Sequence, residues 1–286
     1  MGVGEYTKAE ADAYVTCSYK AHGIKSVEEL STLEVKQVYT AFGLDPALNP
    51  YGVIRECCDC AEHPETMPII LALDVTGSMG EATRACAAQL NQIMEKLYEK
   101  YKGIEFMMMG IGDVAYDSAP LQVTQFESDV RILDQTTKIY FEGRGGCNAY
   151  ESYTAAWYFG LYHTRLDCWK RGKKGIIITM GDEPLNPYLP GRDFGPVVGD
   201  KLQDIETDDL YNKVTEKFDV YHIAITDQDC CFRRYKDDIN NSWGKLLGQR
   251  LLYASSSELP DVIGRIVDNS VSCGGTEQKN GNWMDW

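Results

Sequence analysis

Long apolar runs are missing from this chain, and no stretch approaches the length of a membrane-spanning helix, so no membrane span is expected. The opening residues MGVGEYTKAEADAY carry neither the basic nor the apolar region of a secretion signal, and Tyr6 stands where a myristoylation motif needs Ser or Thr; a cytoplasmic setting is expected. Basic charge is scarce: 28 Lys and Arg face 43 Asp and Glu, a net charge of −15. Such a surface repels phosphate backbones, and the densest basic stretch, 170–174, is short, so nucleic acid is not an expected partner. Histidine is scarce too: His22, His63, His163 and His222 lie in dissimilar contexts, and no Ser-His-Asp or Cys-His arrangement stands out. An enzyme is therefore not expected, and no internal repeat occurs.

Cysteine is present, with ten residues, but Cys57-Cys58 and Cys230-Cys231 are adjacent pairs and no export signal accompanies them. Free thiols are the expectation. The alternative is a zinc site joining Cys57, Cys58 and Cys60 to Cys230 or Cys231, although the spacing is not the usual paired Cys-x-x-Cys. The 286 residues, 44% hydrophobic and 25% charged, suit an ordinary globular protein with one large domain, or one medium domain and an appendage.

The stretch PIILALDVTGSMGEA, residues 68–82, organises the rest. Five apolar residues, 69–73, run without alternation, as in a strand buried on both faces of a parallel sheet. Asp74, Thr76 and Ser78 then place one carboxylate and two hydroxyls at alternate positions where the strand ends and a helix begins. Three hard oxygen donors on a Gly-containing turn can converge on one small divalent cation. Open parallel sheets bind ligands at this same place, outside the carboxyl ends of their strands.

Asp74-Val-Thr76-Gly-Ser78 resembles the Asp-x-Ser/Thr-x-Ser signature of von Willebrand factor A (vWA) domains, which in that family forms a metal-ion-dependent adhesion site (MIDAS). The resemblance covers roughly residues 66–269. It implies a doubly wound α/β sheet, mostly parallel and Rossmann-like, and a bound Mg²⁺, with Mn²⁺ or Ca²⁺ as alternatives. It further implies a protein partner that presents an acidic side chain to the cation. The family's Gly-Gly-Thr-Asn loop corresponds to EGRGGCNAYES, residues 142–152, where Cys147 replaces the threonine; Asn148, Glu151 or a water must then substitute, because a neutral thiol is a poor ligand for a hard cation. The family's Thr-Asp-Gly element corresponds to Thr179-Met180-Gly181-Asp182, with the aspartate two residues further on. That shift keeps the strand face and advances the carboxylate by about 7 Å. The metal set expected is Asp74, Thr76, Ser78, Asn148 and Asp182.

The remaining chain reads as strand and helix in alternation. Residues 1–62 form an expected helical N-terminal extension, with one helix from Thr7 to about Ala21 and a second over 26–42, read as packing on the main domain rather than as a separate docking module. Residues 66–269 form the vWA-like domain and 270–286 a polar tail, whose Trp283 and Trp286 are candidate anchors. Helices are expected over 80–102, 152–166 and 202–218, with a closing helix from Ser256 or Ser257. Six strands are expected, over 68–73, 104–112, 121–126, 175–181, 220–226 and 250–254. The methionines Met107, Met108 and Met109 read as core, because consecutive strand residues point to opposite faces. Residues 184–198 read as a surface excursion with Tyr188, Arg192 and Phe194 available to a partner.

Two other functions compete. One is a structural or assembly scaffold whose turn merely caps a helix. The other is a Mg²⁺-dependent phosphotransferase, since Asp74-Val-Thr76 is also similar to the start of haloacid-dehalogenase enzymes, with Gly181-Asp182-Glu183 as a late acidic motif. Its layout is unfavourable: Lys173 and Lys174 lie one strand away from Asp182, and a helix follows the turn at once.

Overall fold

The computed structural model describes residues 4–21, 41–142, 150–228 and 230–273. Most of the expected second helix, the Cys147–Asn148 pair, and Trp283 and Trp286 lie outside the described residues. Helix α1 is Lys8–Ala21, started by Thr7, whose Oγ1 accepts the Glu10 amide at 3.3 Å and donates to Glu10 Oε2 at 2.9 Å. It packs on the main domain: Tyr14 Oη donates to Asp134 Oδ1 at 3.0 Å, and just before the helix the Tyr6 ring stacks on Tyr98 at 4.7 Å. Asp45 caps a single 3₁₀ turn, Pro46–Leu48, by accepting the Ala47 amide at 2.8 Å.

Strand β1 (Arg55–Cys57) precedes β2 (Met67–Asp74), α2 (Ala82–Lys100), β3 (Ile104–Ile111), β4 (Leu121–Val123), α3 (Arg131–Thr136) and α4 (Tyr153–Tyr162). Then come β5 (Thr164–Leu166), β6 (Gly175–Gly181), β7 (Tyr188–Leu189), α5 (Gly191–Val198), β8 (Ile205–Glu206) and α6 (Thr207–Val214). Strand β9 (Phe218–Ile225), α7 (Phe232–Ile239), a π turn (Asn240–Gly244), β10 (Leu251–Ala254) and α8 (Leu259–Cys273) complete the order.

Six strands form the central sheet in the order β10-β9-β6-β2-β3-β4, parallel except for the antiparallel edge strand β4. From β2 the chain moves outward through β3 and β4, then returns to β6 and moves the other way. The order therefore reverses between β2 and β6, and the carboxyl ends of these two strands frame the crevice where doubly wound sheets bind ligands. All six strands fall where strands are expected, β2 and β6 from continuous apolar runs and the edge strand β4 from alternation.

Alternation along β2 divides the core into two layers. Ile69, Leu71 and Leu73 join α2, α3 and α8 on one face, whereas Ile70 and Ala72 join α4, α5 and α6 on the other. Met108 belongs to the first layer and Met107 and Met109 to the second, as alternation requires. Gly103 ends the α2 connection with φ +78°, and a Cβ there would lie 2.7 Å from the Glu65 carbonyl oxygen, so the turn into β3 requires glycine. Helix α8 begins with a capping box between Ser255 and Glu258.

Several expectations are corrected. The expected helix over 152–166 stops at Tyr162, and the chain continues as β5, which pairs in parallel with β1. His163 fixes this break: its Nδ1 lies 3.2 Å from the Val53 carbonyl oxygen and its Nε2 2.8 Å from Asp200 Oδ2. The part of residues 1–62 nearest the main domain is thus not helical; it carries β1, and the buried Arg55 donates to the carbonyls of Ala47 and Val123. The expected helix over 202–218 shortens to α6 because β8 pairs with β7. Phe194 is fully buried against Tyr158, so of the three excursion residues only Tyr188 and Arg192 are exposed. No helix among the described residues is long and apolar enough to cross a membrane.

Candidate metal centre

Strand β2 delivers Asp74 fully buried at its carboxyl end, and β6 delivers Asp182 equally buried beside it. The chain after Asp74 folds as an Asx turn: Asp74 Oδ1 accepts the Thr76 amide at 2.9 Å and the Thr76 hydroxyl at 2.6 Å. Ser78 Oγ donates to Asp182 Oδ1 at 3.0 Å and lies 3.1 Å from Thr76 Oγ1. The second oxygens of both aspartates are held from outside the motif. Tyr153 Oη donates to Asp74 Oδ2 at 2.7 Å, and the Cys231 amide donates to Asp182 Oδ2 at 2.5 Å. The structure thus brings Asp74, Thr76, Ser78 and Asp182 together, while Asn148 lies outside the described residues.

Gly181 makes the tyrosine contact possible. A Cβ at this position would fall 2.0 Å from Tyr153 Oη, and Tyr153 is fully buried with no room to withdraw. Beneath it, Tyr153 meets the His222 and Trp243 rings at 5.2 and 5.3 Å, and Thr179 Oγ1 lies 2.9 Å from His222 Nδ1. Met180 is buried in the sheet core. Gly181, the glycine that this stretch shares with Thr-Asp-Gly, thus leaves room for a buried aromatic support under Asp74.

A count of protons shows what the cluster lacks. Each hydroxyl has one hydrogen; Thr76 gives its hydrogen to Asp74 and Ser78 gives its own to Asp182. With both carboxylates ionised, neither hydroxyl has a second hydrogen to give across the 3.1 Å contact between them. Among the described residues no Lys, Arg or His forms an ion pair with Asp74 or Asp182. Further buried acids surround them: Asp113 Oδ2, Glu151 Oε2 and Glu183 Oε2 have no hydrogen-bond partner.

The electrostatics follow. Burial, then the neighbouring Asp182 charge, pushes the Asp74 carboxyl up to about 7, and burial raises Asp182 as well. Burial together with the Asp74 charge pushes Glu183 to about 8 and Glu151 to about 11. An acceptor-rich, donor-poor cluster of hard oxygens fits a divalent cation of the Mg²⁺, Mn²⁺ or Ca²⁺ type. No group of three or more His, Cys, Asp or Glu side chains arranged to hold a metal occurs among the described residues, so the candidate set is two carboxylates with two hydroxyls.

The cysteines do not assemble. Cys57 is buried near Thr66 and Glu105, at the amino ends of β2 and β3, whereas Cys230 and Cys231 lie at the carboxyl end of the sheet beside Asp182. The zinc alternative fails on this separation, and Cys57, Cys58, Cys60, Cys230 and Cys231 are all free thiols. Lys173 and Lys174 sit at the amino end of β6, paired with Glu65 and with the Thr215 carbonyl, a full strand away from Asp182. The phosphotransferase layout is therefore absent from the described residues. Sequence reasoning missed Tyr153, Cys231 and Asp113; Asp113 was accessible, being an acid just beyond the apolar run of β3.

The strand order, with its antiparallel edge and its ligand crevice between β2 and β6, defines a vWA-like fold. No protein-family model matches the chain, and no curated protein does. Among solved structures, the chain is similar to the pilus adhesin SpaC from Lactobacillus rhamnosus GG in its open conformation, at 13% identity and a TM-score of 0.46 over 77% of this chain. This chain spans 31% of the length of that adhesin. It is also similar to the vWF domain of the type V pili tip protein Mfa5 from Porphyromonas gingivalis, at 11% identity and a TM-score of 0.46, covering 76% of this chain and 98% of that one.

Proposed function

We propose that the chain is a divalent-cation-dependent protein-binding module. The observation that carries this reading is the pairing of buried Asp74 and Asp182 through Thr76 and Ser78, with no ion pair to a basic side chain among the described residues. Asp74, Thr76, Ser78 and Asp182 would hold the cation, with Asn148 as a fifth member of the set and Mg²⁺ as the first choice. A bound cation would supply a Lewis-acidic position open to an acidic side chain of the partner. The residues of this chain do the positioning: the Asx turn orients Asp74, Tyr153 holds its second oxygen, and the Cys231 amide fixes Asp182. Binding rather than catalysis suits a site where, among the described residues, no lysine or histidine pairs with the carboxylates. A cytoplasmic setting belongs to the same proposal and rests on the free, partly adjacent thiols.

Calorimetric titration of chelator-treated protein with Mg²⁺, Mn²⁺ and Ca²⁺, beside Asp74→Asn and Asp182→Asn, tests the reading. Saturable binding that both substitutions abolish, with circular dichroism unchanged, is the expected result. A protein that binds none of the three ions is instead a scaffold, and the metal-dependent function falls.

A further inference from the structure

An exposed patch of positive charge borders the carboxylate cluster of this acidic protein. Arg233 and Arg234 stand in the first turn of α7, two and three residues after Cys231, whose amide holds Asp182 at 2.5 Å. Among the described residues neither guanidinium takes part in an ion pair; Arg234 lies over the Tyr235 ring, 5.2 Å from its centroid, a contact that stiffens the side chain without neutralising it. The Cys231 thiol feels both the Arg234 charge and those of Asp182, Glu183 and Asp74, so the arginine and the cluster flank the same residue.

Charge complementarity then defines the partner. The described side chains around the candidate cation position, Asp113, Glu151 and Glu183, are acid groups that offer a partner carboxylate no counter-charge. A second acidic group on the same partner would meet the arginines instead. Three residues of helix separate Cys231 from Arg234, a rise of about 4.5 Å, and the arginine side chain extends further. An extended peptide places same-face side chains about 7 Å apart, which matches two acids separated by one residue. We propose that Arg234, with Arg233 beside it, is a second anchor that reads a second acidic side chain, two residues from the one directed at the cation. This rests on the cation-dependent reading above.

The test uses the full chain saturated with Mg²⁺ and two fluorescent peptides, Gly-Gly-Asp-Gly-Glu-Gly-Gly and the same peptide with Gln for Glu, followed by anisotropy. The Glu peptide should bind about threefold to tenfold more tightly, the scale of one exposed charge-assisted pair. Arg233→Gln with Arg234→Gln should erase that preference while leaving the Gln-peptide affinity and the calorimetric Mg²⁺ affinity unchanged. Arg234→Glu should reverse it in favour of a Lys-bearing peptide. Equal binding of the two peptides by the unaltered protein, no binding of either, or a preference that survives the double substitution would each overturn the anchor. The Mg²⁺ titration is read separately: intact Mg²⁺ binding in any of those cases leaves the metal centre standing, and its absence removes both.

Discussion

Cation binding should weaken about 100-fold between pH 8 and pH 5. Burial and the Asp182 charge hold the Asp74 carboxyl at about 7, against an ordinary value of 3.8, so a proton must leave as the cation arrives. With one proton displaced, affinity is nearly complete at pH 8 and falls tenfold per unit below 7, a loss of about 2.7 kcal/mol at pH 5. Glu183, held at about 8, adds in the same direction. The stability linkage has a definite sign. A raised carboxyl value costs the cation-free fold stability as pH rises from about 4 towards 7, reaching on the order of 4 kcal/mol above it. Cation binding removes that cost, so the melting shift it produces should be larger at pH 8 than at pH 5. His222 is buried and neutral, its value held well below the ordinary range by burial, and it acts with the opposite sign; it is present with and without cation and cancels in the difference. Isothermal titration in two buffers of different ionisation enthalpy should report about half a proton released at pH 7. An affinity independent of pH, with no proton released, would refute the assignment of a protonated carboxyl in the cation-free site.

Other consequences concern the support of the site. Tyr153→Phe leaves a buried Asp74 oxygen without its donor and should cost about 1–3 kcal/mol in urea denaturation of chelated protein, with cation binding retained because the tyrosine donates rather than ligates. Loss of cation binding in that variant would contradict the role given to Tyr153. Gly181→Ala drives a Cβ against the fully buried Tyr153 and should destabilise by about 1–3 kcal/mol; an unchanged denaturation midpoint would count against the close approach. Ser255→Ala removes the cap of α8 and should cost about 1 kcal/mol, lowering the melting temperature by about 2–4 °C, without affecting cation affinity.

The centre of the sheet was legible because β2, β3 and β6 are buried on both faces and read as largely unbroken apolar runs. The mini-sheet of β1 and β5 was not, since three-residue strands carrying Arg55 and Arg165 have no such signature, and the pairing brings together residues more than a hundred apart. Helix α7 was overlooked, although Phe232, Tyr235, Ile239 and Trp243 recur at helical spacing through the π turn. Within the site, Asp74, Thr76, Ser78 and Asp182 could be named from local order along the chain. The clamp on them could not. Tyr153 reaches Asp74 from 79 residues away and Cys231 reaches Asp182 from 49, and only the packing of α4 and α7 at the carboxyl end of the sheet brings them there. The loss of Phe194 as a surface residue has the same origin, because α5 turns its one aromatic side chain into the core against Tyr158.

The most direct test of the account is anomalous scattering from crystals of the protein grown with Mn²⁺. The account predicts one strong peak among the oxygens of Asp74, Thr76, Ser78 and Asp182, at about the 2.0–2.2 Å expected of a small hard cation or one water molecule beyond it, and the disappearance of that peak in Asp182→Asn. Well-ordered crystals without a peak there, with Thr76 and Ser78 in their present contact, would contradict it.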